Sequence, residues 1–204
     1  MEAYCFDDEV VFDLRAANES AAASAVEELW SRVGTDAALA LTAARMLEIL
    51  DETRRELAGR VDADTQVTLA GFERLLDEIG VDEPGLALQV DAIYREHRGR
   101  VVEPFEDADH LRVVRQRRRI GLIIGQGIEW RRLGDGVVDV ALRPTQLRID
   151  RSDPALLSQM ADALGSGQVT VVTGPLTPLR RAAEAGGYPV QVIDRLRGDG
   201  IRSL

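Results

Sequence analysis

The chain has 204 residues, 45% of them apolar and 29% charged, which is ordinary globular usage and enough length to bury a core. That excludes a fully disordered or fibrous protein. Twenty-five basic against 35 acidic residues leave a net charge of −10, a balance that argues against nucleic acid or an anionic membrane as the main partner. No run approaches the roughly 20 apolar residues of a membrane helix, and the start MEAYCFDDE lacks the basic and apolar regions of a secretory signal. Cys5 is the single cysteine, so no internal disulfide forms and the chain suits a reducing cytoplasm. All 25 basic residues are Arg. Codon usage in a GC-rich genome is the simplest cause, and the effect is chemical: no lysine is present to form a Schiff base, act as a base or anchor phosphate.

In chain order, the run Val10-Val11-Phe12-Asp13-Leu14 has the length and β-branched content of a buried strand. From Glu19 to about Arg98 the pattern turns helical. Ala22, Val26, Leu29, Trp30 and Val33 recur at helical spacing, followed by Leu39, Leu47 and Leu50, then Val67, Phe72, Leu75, Leu76 and Ile79. Breaks at Gly34-Thr35, Gly59 to Asp64 and Gly80 to Gly85 divide this stretch into four helices, with Thr35 and Asp64 as N-caps and Pro84 early in the last.

Beyond Glu106 strands and helices alternate. A helix from Glu106 to Arg118 precedes the strand Ile120 to Ile124 and the turn Gly125-Gln126-Gly127. A short helix near Trp130 precedes the strand Val137 to Leu142. The helix Asp153 to Leu164, the strand Val169 to Val172, a helix near Leu179 to Ala185 and the strand Val190 to Ile193 complete the chain. This alternation predicts an α/β fold with a doubly wound parallel sheet, its core formed by residues 1–17 and 99–204 and interrupted after the first strand by a four-helix cap at 18–98. In such sheets ligands bind at the carboxyl ends of strands. Asp13 ends the first strand in this reading, as a nucleophile, a metal ligand or a cap of the following turn.

The order of these segments resembles the haloacid dehalogenase-like (HAD) superfamily along nearly the whole chain. VVFDL resembles its first motif, in which a strand-end Asp, here Asp13, forms a covalent aspartyl intermediate. LIIGQG resembles the second-motif strand, RSDPALLSQMADALG the third-motif helix, and VTVVTGPLTPLRRAAEAGGYPVQVID the fourth-motif strand, loop and helix. The resemblance implies a Rossmann-type core with a helical cap.

In this alignment the catalytic set is degenerate. Arg15 replaces the acid/base Asp, Ala17 the first-motif Thr, Gly125 the second-motif hydroxyl and Arg151 the third-motif Lys, with Arg148 an alternative. Gly174 and Leu179 replace the magnesium-holding acids. One Asp without acidic companions is a poor magnesium site, so no cofactor is expected unless the first motif lies elsewhere. A second register, Phe6-Asp7-Asp8-Glu9, puts acids two apart at Asp7 and Glu9, but leaves only MEAYC as its strand and VVF in the following loop.

Two functions follow. One is a pseudoenzyme that binds a small anion or a protein, with Arg15, Gly125, Gln126, Arg151 and Thr173 around the ligand and two Arg side chains facing one carboxylate. The other is an active hydrolase, dehalogenase-like or acting on another non-phosphate substrate, with Asp13 as nucleophile. His97 and His110 lie outside any metal-ligand spacing, which reads as surface placement. Trp130 reads as core packing.

Overall fold

The structure, a computed structural model, describes residues 2–33, 41–57 and 63–204. The chain divides into two compact units, Met1–Asp13 with Glu103–Leu204, and Leu14–Val102. The first unit is an α/β layer built on five strands: β1 (Glu2–Asp7), β2 (Arg119–Ile123), β3 (Val140–Leu142), β4 (Gln168–Thr173) and β5 (Val190–Val192). They run in the order β3-β2-β1-β4-β5, and every pairing is parallel. β1 is therefore central, pairing Phe6 with Leu122 on one side and with Val172 on the other. A central parallel strand is covered on both faces, which is why Ala3, Cys5 and Phe6 are all buried.

β1 corrects the sequence expectation. The first strand is Glu2–Asp7, and the Val10 run begins instead in a helical turn, α1 (Asp8–Val11). Val10, Val11 and Phe12 are fully buried, so the apolar signal was real. A short buried apolar run has no periodicity with which to tell strand from helix. Asp13 therefore ends no sheet strand. Its N–H donates to the Glu103 carbonyl at 2.9 Å, beside an isolated antiparallel bridge from Phe12 to Pro104.

α1 is tied down from the far end of the chain. Arg195 donates through Nε and Nη2 to the Val10 carbonyl and through Nη1 to both carboxylate oxygens of Asp107, at 2.9 and 3.0 Å. Its guanidinium lies over the Phe105 ring, 4.2 Å from the centroid.

The 3-10 turn Glu106–His110 and α2 (Leu111–Arg115) lead into β2, where a single helix to Arg118 was expected. α3 (Pro144–Leu147) follows β3. α4 (Pro154–Leu164) and α5 (Pro178–Gly186) pack on the face lined by Ala3, Cys5, Val169 and Val171, burying Leu156, Leu157, Met160, Leu164, Leu179 and Ala182. Both helices carry Pro at their first position and an N-cap whose side chain accepts a backbone N–H, Asp153 from Ala155 and Thr177 from Arg180. Trp130 sits half-buried in the 3-10 turn Trp130–Leu133, with Arg131 beside its ring rather than in the core.

In the second unit the described residues form four helices, α6 (Leu14–Trp30), α7 (Ala43–Glu56), α8 (Ala63–Glu78) and α9 (Leu86–Val101). Small residues on α6 (Ala21, Ala22, Ala25) share a core with Met46, Ile49, Leu50, Phe72, Leu75, Leu86, Val90 and Tyr94. The Phe72 and Tyr94 rings meet edge to face at 5.6 Å. Thr35 and Leu39 lie outside the described residues, and Asp64 falls in the first turn of α8 rather than before it. Trp30, expected on the apolar face, is half exposed. His97 and His110 are half-buried, and His97 Nε2 lies 3.0 Å from Ser20 Oγ. No helix among the described residues is long and apolar enough to cross a membrane.

The Arg195 tie yields the first prediction. Asp107 and Arg195 are 14% and 16% exposed, so Arg195→Leu leaves a largely buried carboxylate without its counter-charge and with the Ile201 N–H as a remaining donor. The expected loss is about 3–5 kcal/mol, the usual result of removing one partner of a buried pair, read from the denaturant midpoint.

Candidate functional site

The carboxyl edge of the sheet collects three acids. β1 delivers Asp7 beside Ile123 of β2, and the turn into α1 places Asp8 and Glu9 immediately after it. Asp7 is 1% and Asp8 2% exposed. Arg151, just before α4, reaches both: Nη1 donates to Asp7 Oδ1 and to Asp8 Oδ1, each at 2.8 Å, and Nη2 donates to Asp8 Oδ2 at 2.8 Å. One guanidinium thus bridges two buried carboxyl groups, in the forked geometry that suits it.

The remaining oxygen of Asp7 is also taken. Thr173, the last residue of β4, donates its hydroxyl to Asp7 Oδ2 at 3.0 Å. The Thr173 and Thr177 hydroxyls are 2.5 Å apart, and Thr177 accepts the Arg180 N–H at 3.1 Å. Each hydroxyl has one proton to give, so with Thr173 donating to Asp7, Thr177 donates to Thr173. The chain of donors runs from the first turn of α5 to Asp7.

The loop after β2 closes the other side. The Gly125 N–H donates to Asp8 Oδ2 at 2.6 Å. Arg143 holds that loop through its guanidinium, donating to the Gly125 carbonyl at 2.9 Å and the Ile128 carbonyl at 2.8 Å. Glu9 completes the set. A Cβ built on Gly174 would lie 2.0 Å from Glu9 Oε1, so the Glu9 carboxyl rests on the glycine, in the space a side chain at 174 would need.

Burial pushes the Asp7 carboxyl well above the usual carboxylate range. Arg151 pulls it down, while Asp8 and Glu9 push it further up. Burial, with Asp7 adding, also pushes the Cys5 thiol up, so Cys5 has no thiolate to offer as a nucleophile.

Among the residues expected around a ligand, the structure brings together Gly125, Arg151 and Thr173. Gln126 sits exposed in the same loop. Arg15 belongs to α6 in the helical unit, where its exposed guanidinium pairs with Glu19 at 3.0 Å one turn along. Arg148, the alternative to Arg151, is exposed and ends α3 in the left-handed region. Leu179 is a core residue of α5. The expected balance of two Arg against one carboxylate is not found: Arg151 bridges Asp7 and Asp8, and Glu9 lies close enough to act on Asp7. Asp7, Asp8 and Glu9 were available to the sequence only through the second register, and nothing in the sequence marked Arg143.

Comparison with solved structures supplies the fold's name. A 2-haloacid dehalogenase from Pseudomonas syringae pv. Tomato is 19% identical with a TM-score of 0.65, over 95% of this chain and 86% of that one. A HAD-hydrolase from Bacillus subtilis, bound to magnesium, is 16% identical with a TM-score of 0.75, over 94% and 88%. The L-2-haloacid dehalogenase from Xanthobacter autotrophicus is 16% identical with a TM-score of 0.63, over 94% and 76%. The chain has the haloacid dehalogenase-like fold. No protein-family model and no curated protein matches it.

The HAD fold together with the shifted first motif reopens the question of magnesium, and the donor set answers it. A hard divalent ion requires several oxygen ligands, mostly carboxylate and water. Here the oxygens of Asp7 accept from Arg151 and Thr173, and those of Asp8 accept from Arg151 and Gly125. The stretch from Gly174 to Pro178 contains no acid. Among the described residues no group of three or more His, Cys, Asp or Glu side chains is arranged to hold a metal ion. These residues do not fit a magnesium site.

Two outcomes test this geometry. Because its pKa is raised in the folded state, Asp7 keeps a proton there that the unfolded chain has already lost. Stability therefore falls as pH rises from the ordinary carboxylate value to the raised Asp7 value. Denaturation across that range should show a slope in the wild type that Asp7→Asn flattens. Equal slopes would mean that Asp7 titrates alike in both states. Arg151→Met should cost about 3–5 kcal/mol, because it leaves buried carboxyl groups without their counter-charge, again measured by denaturation.

Proposed function

We propose that this HAD-fold chain has given up hydrolase chemistry and works by binding, with a protein as its partner. The observation that carries this reading is the condition of Asp7. A nucleophilic carboxylate needs an ionised oxygen facing its substrate, whereas both Asp7 oxygens accept hydrogen bonds from the protein's own donors and the residue is 1% exposed. Burial favours its protonated form. Gly125 brings no hydroxyl to hold a transferring group, and the loop after β4 brings no acid. Of the two occupants compatible with the composition, a small anion is disfavoured at this edge, where Asp7, Asp8 and Glu9 lie together and the Arg151 and Arg143 guanidinium groups are engaged by the protein's own acceptors. The buried thiol of Cys5 and the absence of disulfides suit a cytoplasmic setting.

One observation favours a second reading, an active metal-free hydrolase. Asp7 stands at the end of the central strand with Glu9 two residues on, and several structural neighbours are 2-haloacid dehalogenases. The nucleophile would then be Asp7 instead of Asp13, its carboxylate displacing halide from the substrate carbon to form an ester that water hydrolyses.

An assay panel separates the two. Phosphate esters and 2-haloacids are offered with and without magnesium, and phosphate or halide release is followed. No turnover of any of them is expected from the wild type. Halide release that is lost in Asp7→Asn and kept in Asp13→Asn would replace the binding reading with the second.

A further inference from the structure

We infer that the Arg151 guanidinium is the resident cation of this site, standing where a divalent ion would otherwise neutralise the strand-end carboxyl groups, and that it makes the site indifferent to metal. Nη1 lies 2.8 Å from one oxygen of Asp7 and 2.8 Å from one oxygen of Asp8, and Nη2 lies 2.8 Å from the second oxygen of Asp8. Three carboxyl oxygens from two residues therefore converge on one positive group. That group is itself only 13% exposed, facing partners at 1% and 2%.

A guanidinium does this work differently from an ion. It stays charged throughout the accessible pH range and cannot be chelated away. It is attached to the loop leading into α4, so its local concentration never falls. A magnesium ion entering here would have to share the carboxyl groups with a positive charge about 3 Å away, or expel that charge from a buried position. The first course sets like charges against each other, and the second leaves two buried carboxyl groups without their hydrogen-bonded counter-charge. The neighbouring positions are closed as well. The Thr173 hydroxyl occupies the fourth oxygen, Asp7 Oδ2, and the Gly125 N–H adds a second donor to Asp8 Oδ2, and a donor cannot ligate a cation through its proton. Glu9 lies over Gly174 in the space from which a further acid would have to project.

The inference is independent of whether the protein turns over a substrate. A metal-free hydrolase would leave it standing while overturning the binding proposal.

Thermal unfolding of the full chain tests it, in magnesium chloride, in calcium chloride, in sodium chloride of matched ionic strength, and with EDTA. The matched salt removes the general screening that any chain of net charge −10 feels. Wild type is expected to show one Tm in all four conditions. Arg151→Ala is expected to melt lower and to regain several degrees, saturably, in magnesium or calcium but not in sodium, as ligand binding to the folded state requires. Arg151→Lys, which keeps a cation in place, is expected to remain indifferent. A saturable rise of the wild-type Tm in magnesium, or a fall in EDTA, would overturn the inference. So would a folded Arg151→Ala that ignores both divalent ions, or an Arg151→Lys as responsive to magnesium as wild type is expected not to be. Should Arg151→Ala fail to fold, the wild type and Arg151→Lys still decide.

Discussion

Everything at the carboxyl edge of the sheet depends on one guanidinium held between two buried carboxyl groups. Taking Asp7 and Asp8 out of water is expensive, and the cost is tolerable only because Arg151 lies 2.8 Å from both. Once Arg151 is committed there, the other contacts are constrained. Thr173 must point at Asp7 Oδ2, the one carboxyl oxygen of the pair that Arg151 does not reach, because an unsatisfied buried oxygen would carry its own penalty, and the Gly125 N–H adds a second donor to Asp8 Oδ2. Thr177 must then orient Thr173, and Arg143 must hold the glycine loop. Four chain segments distant in sequence converge because each satisfies a charge or hydrogen bond that the others leave open.

The fold explains why this convergence occurs here. All five strands run parallel, so their carboxyl ends and the loops that follow them gather at one edge. That geometry is shared with hydrolases of the same fold whatever chemistry the edge performs, which is why similarity at 15–22% identity speaks to architecture alone. The two properties separate cleanly in this chain. The sheet order, the central strand and the helices that cover it are those of the fold, while the donors and acceptors at the edge hydrogen-bond one another.

How much could be read from the sequence followed from how each residue signals its role. The parallel sheet was legible because strands β2, β4 and β5 are apolar runs that alternate with helical segments, and Asp153 and Thr177 mark helix starts by side-chain chemistry alone. Arg151 and Thr173 were legible for the same reason, Arg151 lying just before a helix and Thr173 at the end of a strand with clear boundaries. The first strand was not. AYCF is short, and its buried aromatic and thiol side chains look weaker than VVF, although both runs are buried and only one pairs in the sheet. That single misplacement moved the expected acid from Asp7 to Asp13, and with it inverted the charge balance of the site. Arg143 left no trace because its role is to grip carbonyl oxygens of a distant loop, a task that no local pattern encodes.

The contact between Glu9 and Gly174 bears on how this lineage could change. A Cβ at position 174 would lie 2.0 Å from Glu9 Oε1, so any side chain placed there requires the flexible Glu9 carboxyl to move aside. Glu9 would have to shorten or swing away first, and a new acid arriving before Arg151 is replaced would face a guanidinium already engaged with two others. The space beside the sheet edge is shared between positions 9 and 174, so a larger residue at one calls for a smaller or displaced one at the other.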